Sequence, residues 1–337
     1  MAVAAQVVRC DLDVRTIGGL TALDIVCDPA DPARLRAFFT QGASRVAVSI
    51  EAQPGAAATE ELREIAGGLM LVGRGAPVLG MAQGPVAVNP TPPEWALFDG
   101  RNCALAFRLQ EPAETVGDWL EYHQMNFGLS GAVIVNRAPP GSPDFAADLA
   151  QVVAARGLEG LNIVVLHPGL PLGKPDMGPE THPYLAPDAP GKDRMEAPPP
   201  DPWLAPLAEG IILELLKWRY LGGARAVLLL DVCDILRPDQ ANPFDQCQIS
   251  GNGVIMLVGR RIYPWRVRGK GPAGFGDHIC RQFDSRRGIG RWGCAPAKAG
   301  LDNSWKVMRV SYARPEAGAM AQFWRAMAIR VPGRPSS

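Results

Sequence analysis

From residue 102 onward, short unbroken apolar runs alternate with stretches whose apolar residues recur every three or four positions. "NCALAFRL" (102–109) reads as a buried strand. "ETVGDWLEYHQMNFG" follows as a helix that sets Trp119, Leu120, His123 and Phe127 on one face and stops at Gly128. "SGAVIVNR" is a second strand. "SPDFAADLAQVVAARG" is a second helix, with Ser142 as N-cap, Pro143 in the first turn and Gly157 as its stop. "LNIVVLHP" is a third strand. Strand, helix, strand, helix, strand at this spacing predicts crossover connections and a parallel sheet.

Residues 167–203 interrupt the rhythm. They hold eleven prolines and two of the four histidines, which predicts either a functional loop or a disordered one. A helix over "PLAEGIILELLKWRYLGG" then feeds the strand "ARAVLLLDV". A hairpin around "GNGVIMLVGRRIYPW", a basic segment and a last helix over "PEAGAMAQFWRAMAIR" complete the chain. The first hundred residues follow another pattern. "ALDIVCD" and "SRVAVSIEA" read as strands, with a helix in "DPARLRAFF" between them and another over "TEELREIAGG", Thr59 as N-cap and Gly67 near its end. "LMLVGRGAPVLGMAQGPVAVNP" reads as short strands broken by Gly and Pro, and "NPTPPEW" as a linker. The expected organisation is an accessory α/β or mainly β domain over 1–100 and an α/β domain over 101–337 that carries the Pro-rich loop.

Composition changes little in this picture. The chain is 47% hydrophobic and 20% charged, ordinary for a folded protein, and its 34 basic and 34 acidic residues cancel. The distribution of charge is more telling: Arg260 to Lys298 contain ten Lys or Arg against two Asp. That segment faces solvent or attends an anion, and its interleaved aromatics would also suit a nucleic-acid strand. Overall neutrality argues against nucleic acid. No apolar run is long enough to span a bilayer, so any membrane contact is expected to be peripheral. The N-terminus lacks a basic start and an apolar core, and the seven scattered cysteines form no CxxC pair. Together these predict a cytoplasmic protein with reduced thiols and no structural zinc. "GRGAPVLG" has no phosphate-loop pattern, and no GxGxxG follows the strand at 103–109, which argues against a dinucleotide-dependent dehydrogenase.

Candidate chemistry starts at "RAVLLLDVCDIL" (225–236), an apolar run that stops on Asp231 and Asp234. In an open parallel sheet, ligands bind beyond the carboxyl ends of the strands, and Asp231 is where the fourth such strand leaves. Two neighbouring carboxylates repel unless a cation or hydrogen-bond donors intervene, and a divalent ion bridging to a diphosphate would serve. The plain alternative has Asp231 capping a turn and Asp234 in solvent. Asn136 and Arg137 end the second strand at the same rim. Arg266, Arg268 and Lys270 suit phosphate oxygens. Asp277, in the Gly-flanked loop "GFGDHIC", is a candidate general base, with a solvated loop acid as the alternative.

"DWLEYHQMNFGLSGAVIVNR" resembles the start of the catalytic domain in glycosyltransferases of family 2 and the related family 92, which have a GT-A fold. Trp119, Leu120, Tyr122, His123, Gly128 and Asn136 carry the match. "LLLDVCDIL" resembles the family's apolar strand ending in Asp-x-Asp, and "YPWRVRGKG" with "RQFDSRR" resembles its Pro-Trp-Arg and basic-aromatic stretches. The likeness covers about residues 102–312 in the family's order. It implies a GT-A-like, mostly parallel sheet flanked by helices, behind a smaller N-terminal domain. It also implies inverting transfer of a sugar from a nucleotide-diphosphate sugar, a UDP-sugar first, to a glycan or other hydroxyl acceptor, as in polysaccharide biosynthesis. Under this resemblance Asp231 lies by the donor or its metal (Mn²⁺ or Mg²⁺), Asp234 is a second metal ligand, and His123 packs the nucleotide-binding loop. Two positions depart from the family. Cys233 stands at the second Asp of the motif, and Arg281, Gln282 and Phe283 stand where Glu-Arg-Phe is expected. The alternative is therefore a catalytically inactive nucleotide- or glycan-binding or scaffold protein.

Overall fold

The computed structural model describes residues 5–48, 54–185, 191–265, 273–280, 288–316 and 318–329. It is a mixed α/β protein built on a large, mostly parallel central sheet with few helices. The chain opens with β1 (Gln6–Asp11) and then lays down β2 (Arg15–Ile17), β3 (Leu20–Cys27), β4 (Arg34–Phe39), β5 (Ala58–Ile65) and β6 (Gly68–Arg74). Strands β2 to β6 form a small antiparallel sheet in the order β2-β3-β4-β6-β5, and β7 (Val78–Met81) with β8 (Gly84–Ala87) makes a separate hairpin. β1 leaves this unit and pairs in parallel with a strand of the large sheet, Gln6 opposite Asn162.

The next stretch follows the predicted rhythm: β9 (Asn102–Arg108), α1 (Ala113–Phe127), β10 (Gly131–Asn136), α2 (Phe145–Ala155) and β11 (Asn162–His167). Gly128 closes α1 in a left-handed conformation, φ 68°, which a residue without Cβ adopts without strain. The start of α2 differs from expectation. Asp144, not Ser142, is its N-cap, with Oδ1 accepting from the amides of Ala146 and Ala147.

After the Pro-rich loop come α3 (Ile211–Leu216), which continues as a π-helical turn over Lys217–Leu221, then β12 (Ala226–Leu229), β13 (Asp234–Leu236) and α4 (Pro243–Ile249). The remaining elements are β14 (Val254–Pro264), β15 (His278–Cys280), β16 (Ile289–Cys294), α5 (Pro296–Ala299), β17 (Trp305–Lys306), β18 (Arg309–Val310) and β19 (Met320–Ala326). The central sheet runs β1-β11-β10-β9-β12-β16-β14-β19-β13, with β15 paired to β14. From β1 to β12 every pairing is parallel; β16 then enters antiparallel.

One core lies on the α1/α2 face, where Trp119, Leu120 and Leu149 pack against Ile134 and Val165. The other face carries α3 and the small sheet, joining Ile212 and Leu216 to Leu23, Phe38 and Met70. Two charged contacts tie that face together. The Arg219 guanidinium grips both Asp24 oxygens at 2.8 and 2.7 Å, and Arg36 lies 3.5 Å over the Trp218 ring. Lys217 and Glu214 are a fully buried pair at 2.5 Å, and Lys217 also donates to the main-chain oxygens of Leu301 and Asn303. All these groups are satisfied, so we read them as structural.

Three predicted helices are strands. "DPARLRAFF" contains β4, hydrogen-bonded on both edges, to β3 and β6. "TEELREI" is β5, and Thr59 caps no helix. "PEAGAMAQFWRAMAIR" contains β19, whose Ala321 and Phe323 turn inward while Met320 and Gln322 face out. Helix propensity differs by well under about 1 kcal/mol per residue, and cross-strand pairing outweighs it. Phe323 also lies flat on Gly259 of β14, where a Cβ would come within 2.2 Å of its ring. "SRVAVSIEA" forms a short 3₁₀ turn at Arg45–Ala47, and its remainder from 49 lies outside the described residues.

Candidate functional site

The carboxyl ends of β9, β10, β11 and β12 lie along one rim, and the terminal polar residues of the first three are wired together. Arg108 Nη1 donates to Asn136 Oδ1 at 2.6 Å, and Asn136 Nδ2 donates to His167 Nδ1 at 3.2 Å. Asn136 is fully buried, so its amide joins three adjacent strand ends from within. His167 then carries its proton on Nε2, which is buried with no partner among the described residues. Burial pushes the His167 pKa down, and the nearby Arg9 adds to this. Arg108 also lies 3.9 Å over the Phe145 ring and donates through Nε to the Glu111 main-chain oxygen. The buried Glu111 carboxylate accepts from the amides of Leu109 and Gln110, which fixes the turn that leaves β9. Arg137, at the end of β10, donates to the Ala205 main-chain oxygen at 2.6 Å and so pins the end of the Pro-rich loop to the sheet.

A cleft of about 720 Å³ opens at this rim. Its walls include Arg108 and Pro112 after β9, Ala138 and Phe145 after β10, and Asp201 and Trp203 from the Pro-rich loop. It therefore offers the Arg108 guanidinium, stacked on Phe145, the Trp203 ring and three carboxylates, of Glu114, Asp148 and Asp201, within one concavity at the carboxyl edge of a parallel sheet, the usual place for a small ligand in such folds.

Asp231 and Asp234 lie at the same edge and form a closed turn. The Asp234 amide donates to the Asp231 main-chain oxygen at 2.8 Å, and the Asp231 amide donates to Asp234 Oδ2 at 3.0 Å. Arg325 of β19 spans both side chains, with Nε 2.7 Å from Asp234 Oδ1 and Nη2 2.8 Å from Asp234 Oδ2 and 2.5 Å from Asp231 Oδ2. Arg291 of β16 adds a bond to Asp231 Oδ2 at 2.8 Å. Burial works against the Arg325 charge, but the carboxylates of Asp234 and Asp231 outweigh it and hold its pKa well above the ordinary value. The cation that stops the two acids from repelling is thus arginine. A divalent ion bound by this pair would have to displace Arg325 from both carboxylates, so the residues as arranged do not fit one. Among the described residues, no group of three or more His, Cys, Asp or Glu is arranged to hold a metal. Cys233, between the two acids, is fully buried against Ile262, Ala326 and Ile329.

The aromatic residues of α1 support this turn from below. Trp119 Nε1 donates to the Asp234 main-chain oxygen at 2.8 Å, and Tyr122 Oη donates to the Leu236 oxygen at 2.6 Å. His123 Nδ1 donates to the Trp119 oxygen at 2.7 Å, and Nε2 accepts from the Leu236 amide at 3.4 Å. Burial pushes the His123 pKa down to about 4, against the opposing hydrogen bond to Trp119. A neutral ring is also what its two contacts demand. Trp119, Tyr122 and His123 therefore act on the stretch that follows Asp231, and His123 touches it directly.

The residues singled out from sequence thus fall into separate groups. Asn136, Asp231 and Asp234 lie along one sheet edge. Asp277 lies in a short 3₁₀ turn, where its carboxylate accepts from the Gly274 amide at 2.9 Å, and it does not line the cleft. Arg266, Arg268 and Lys270 lie outside the described residues, as do Arg281, Gln282 and Phe283. Sequence reasoning did not single out Arg108, His167 and Arg325, and it reached Arg291 only as part of the basic segment. The first two end apolar strands, the signal that had pointed to Asn136. Arg325 was hidden by the helical reading of its segment. No protein-family model matches the chain, and a search of curated proteins finds no match.

Proposed function

We propose that the protein transfers a sugar from a nucleoside-diphosphate sugar, a UDP-sugar first, to a hydroxyl acceptor, with inversion at the anomeric carbon. The observation that carries this reading is the cleft at the carboxyl ends of β9 and β10, with Arg108 on its wall and Phe145 and Trp203 beside it. The Trp203 ring suits a base, and a guanidinium suits phosphate oxygens. Two further features support it. The strand order β11-β10-β9-β12, followed by antiparallel β16, suits a GT-A-like sheet. The Trp-Leu-x-Tyr-His segment and the Asp-x-x-Asp turn, which resemble parts of one family, are bonded to each other.

In this reading the acceptor oxygen attacks the anomeric carbon as the bond to the diphosphate breaks. A carboxylate takes the acceptor proton, and basic side chains stabilise the departing negative charge. Glu114, Asp148 and Asp201 line the cleft and Asp277 does not, and Asp201 Oδ1 already accepts from the amides of Trp203 and Leu204, so the base in this reading is Asp148 or Glu114. With Arg325 and Arg291 holding Asp231 and Asp234, no step passes through a metal ion. The same closed cluster favours a second reading, a domain that binds a nucleotide or glycan without turnover. Incubation with a panel of nucleotide sugars separates the two. Release of nucleoside diphosphate above the protein-free rate supports transfer, binding without release supports the second reading, and neither binding nor release overturns both.

A further inference from the structure

Two clefts meet around the β17–β18 hairpin and the loop after it. The larger, about 800 Å³, is lined by Met256, Lys306, Arg309, Tyr312 and Arg314 among others, with no acidic residue. The smaller, about 420 Å³, carries Glu61, Glu64 and Asp302 together with Arg63. Ser311, Tyr312 and Lys306 line both. Neither cleft shares a lining residue with the one at the ends of β9 and β10.

Tyr312 is unusual in two ways. Its φ is 62°, in the left-handed region that a bulky residue enters only under strain, and it is 94% exposed. The strain wins no burial, because the ring projects into solvent at the divide between the clefts. Beside it, Ser311 is only 7% exposed, and its hydroxyl is buried without a hydrogen-bond partner among the described residues. The Lys306, Arg309 and Arg314 side chains make no ion pair among the described residues. A strained exposed ring, a buried hydroxyl without a partner and three cations without an ion pair among the described residues thus meet at one place, and these are groups a ligand could satisfy.

We propose that this face binds an acidic saccharide. A sugar ring packs on Tyr312, and its carboxylate or phosphate lies among Lys306, Arg309 and Arg314. Hydroxyls then bond to Ser311 and to the carboxylates of the smaller cleft, which accept such bonds readily. Those carboxylates also disfavour a nucleic-acid strand, whose continuous phosphates they would repel. The proposal is independent of the transferase reading.

Calorimetric titration with glucuronate and with glucose 6-phosphate tests it and separates a carboxylate from a phosphate source; glucose and a short single-stranded oligonucleotide are controls. The expected result is binding of at least one acidic sugar, weakened tenfold or more in Tyr312→Gly and in Arg309→Gln/Arg314→Gln. Because glycine relieves the left-handed strain, Tyr312→Gly should raise the melting temperature by about 2 °C while losing the ligand. Binding of the oligonucleotide alone, binding of neither acidic sugar, or undiminished binding by Tyr312→Gly would overturn the proposal.

Discussion

The indole N–H of Trp119 donates to the main-chain oxygen of Asp234 at 2.8 Å, joining segments 115 residues apart. This bond makes the helix α1 and the turn after β12 one unit. Asp231 and Asp234 are consequently held from two sides, by aromatic donors beneath and by guanidinium groups across the sheet edge.

Removing single donors from α1 should loosen that unit measurably. We expect Trp119→Phe and Tyr122→Phe each to lower unfolding free energy by about 1–2 kcal/mol, since each leaves a main-chain oxygen short of its partner. Because both act on the same three-residue strand, the double change should cost less or more than the sum of the singles. Urea unfolding of the four proteins checks this, and strict additivity would show that the two bonds are independent.

Arg325 should be worth more to its partners than to the fold as a whole. Asp234→Ala strands a buried guanidinium with only Asp231 to balance it, and we expect a loss of about 3–5 kcal/mol. Replacing both members by apolar residues, Asp234→Leu with Arg325→Met, should recover a large part of that loss. A double variant as unstable as Asp234→Ala would mean that the cluster contributes more than mutual neutralisation.

Acid should destabilise the protein through its buried histidines. His123 has a folded pKa of about 4 against about 6.5 unfolded. A depressed histidine pKa means that the unfolded chain takes up the proton first. The stability it contributes is therefore complete above about pH 6.5 and is lost as pH falls toward 4. Between pH 7.5 and 5 this amounts to about 2 kcal/mol. His278 acts in the same direction: burial lowers its pKa, Nδ1 donates to the Gly274 oxygen and Nε2 accepts from the Ala328 amide. Unfolding free energies at both pH values, in the parent and in His123→Gln, check the claim; an unchanged pH slope in the variant counts against it.

What the sequence disclosed follows from where packing and patterning agree. The run from Asn102 to His167 was legible because each strand is buried on both faces and each helix shows one apolar stripe. Strand β4 was not, because its Ala, Leu and Arg content favours a helix while its neighbours β3 and β6 impose pairing. Strand β19 alternates inward Ala321 and Phe323 with outward Met320 and Gln322, a two-residue period that a long helical window averages away. That misreading cost the site its main cation. Asp231 could be placed at the rim from sequence, but nothing local to it announces a guanidinium 94 residues downstream.

The arginine cluster also sets an expectation about metal. With Arg325 in contact with both carboxylates, Mn²⁺ added at about 1 mM should bind no tighter than to bulk carboxylates, and EDTA should leave the melting temperature unchanged. Electron paramagnetic resonance of free Mn²⁺ reads this directly. Arg325→Met, which frees Asp234 and leaves Asp231 only its bond from Arg291, should gain Mn²⁺ binding if it remains folded by circular dichroism. Tight Mn²⁺ binding by the parent protein would show that the cluster opens to accept an ion.

The central claim, that the cleft behind β9 and β10 is a nucleoside-diphosphate site, is tested most directly by calorimetric titration of UDP, GDP and ADP in the presence of EDTA. The account predicts that one of them, UDP first, binds with a Kd on the order of 10 µM and that Arg108→Ala weakens it about tenfold or more. Binding of none of them below about 1 mM, with EDTA or with Mn²⁺ in its place, or binding that Arg108→Ala leaves intact, would contradict it.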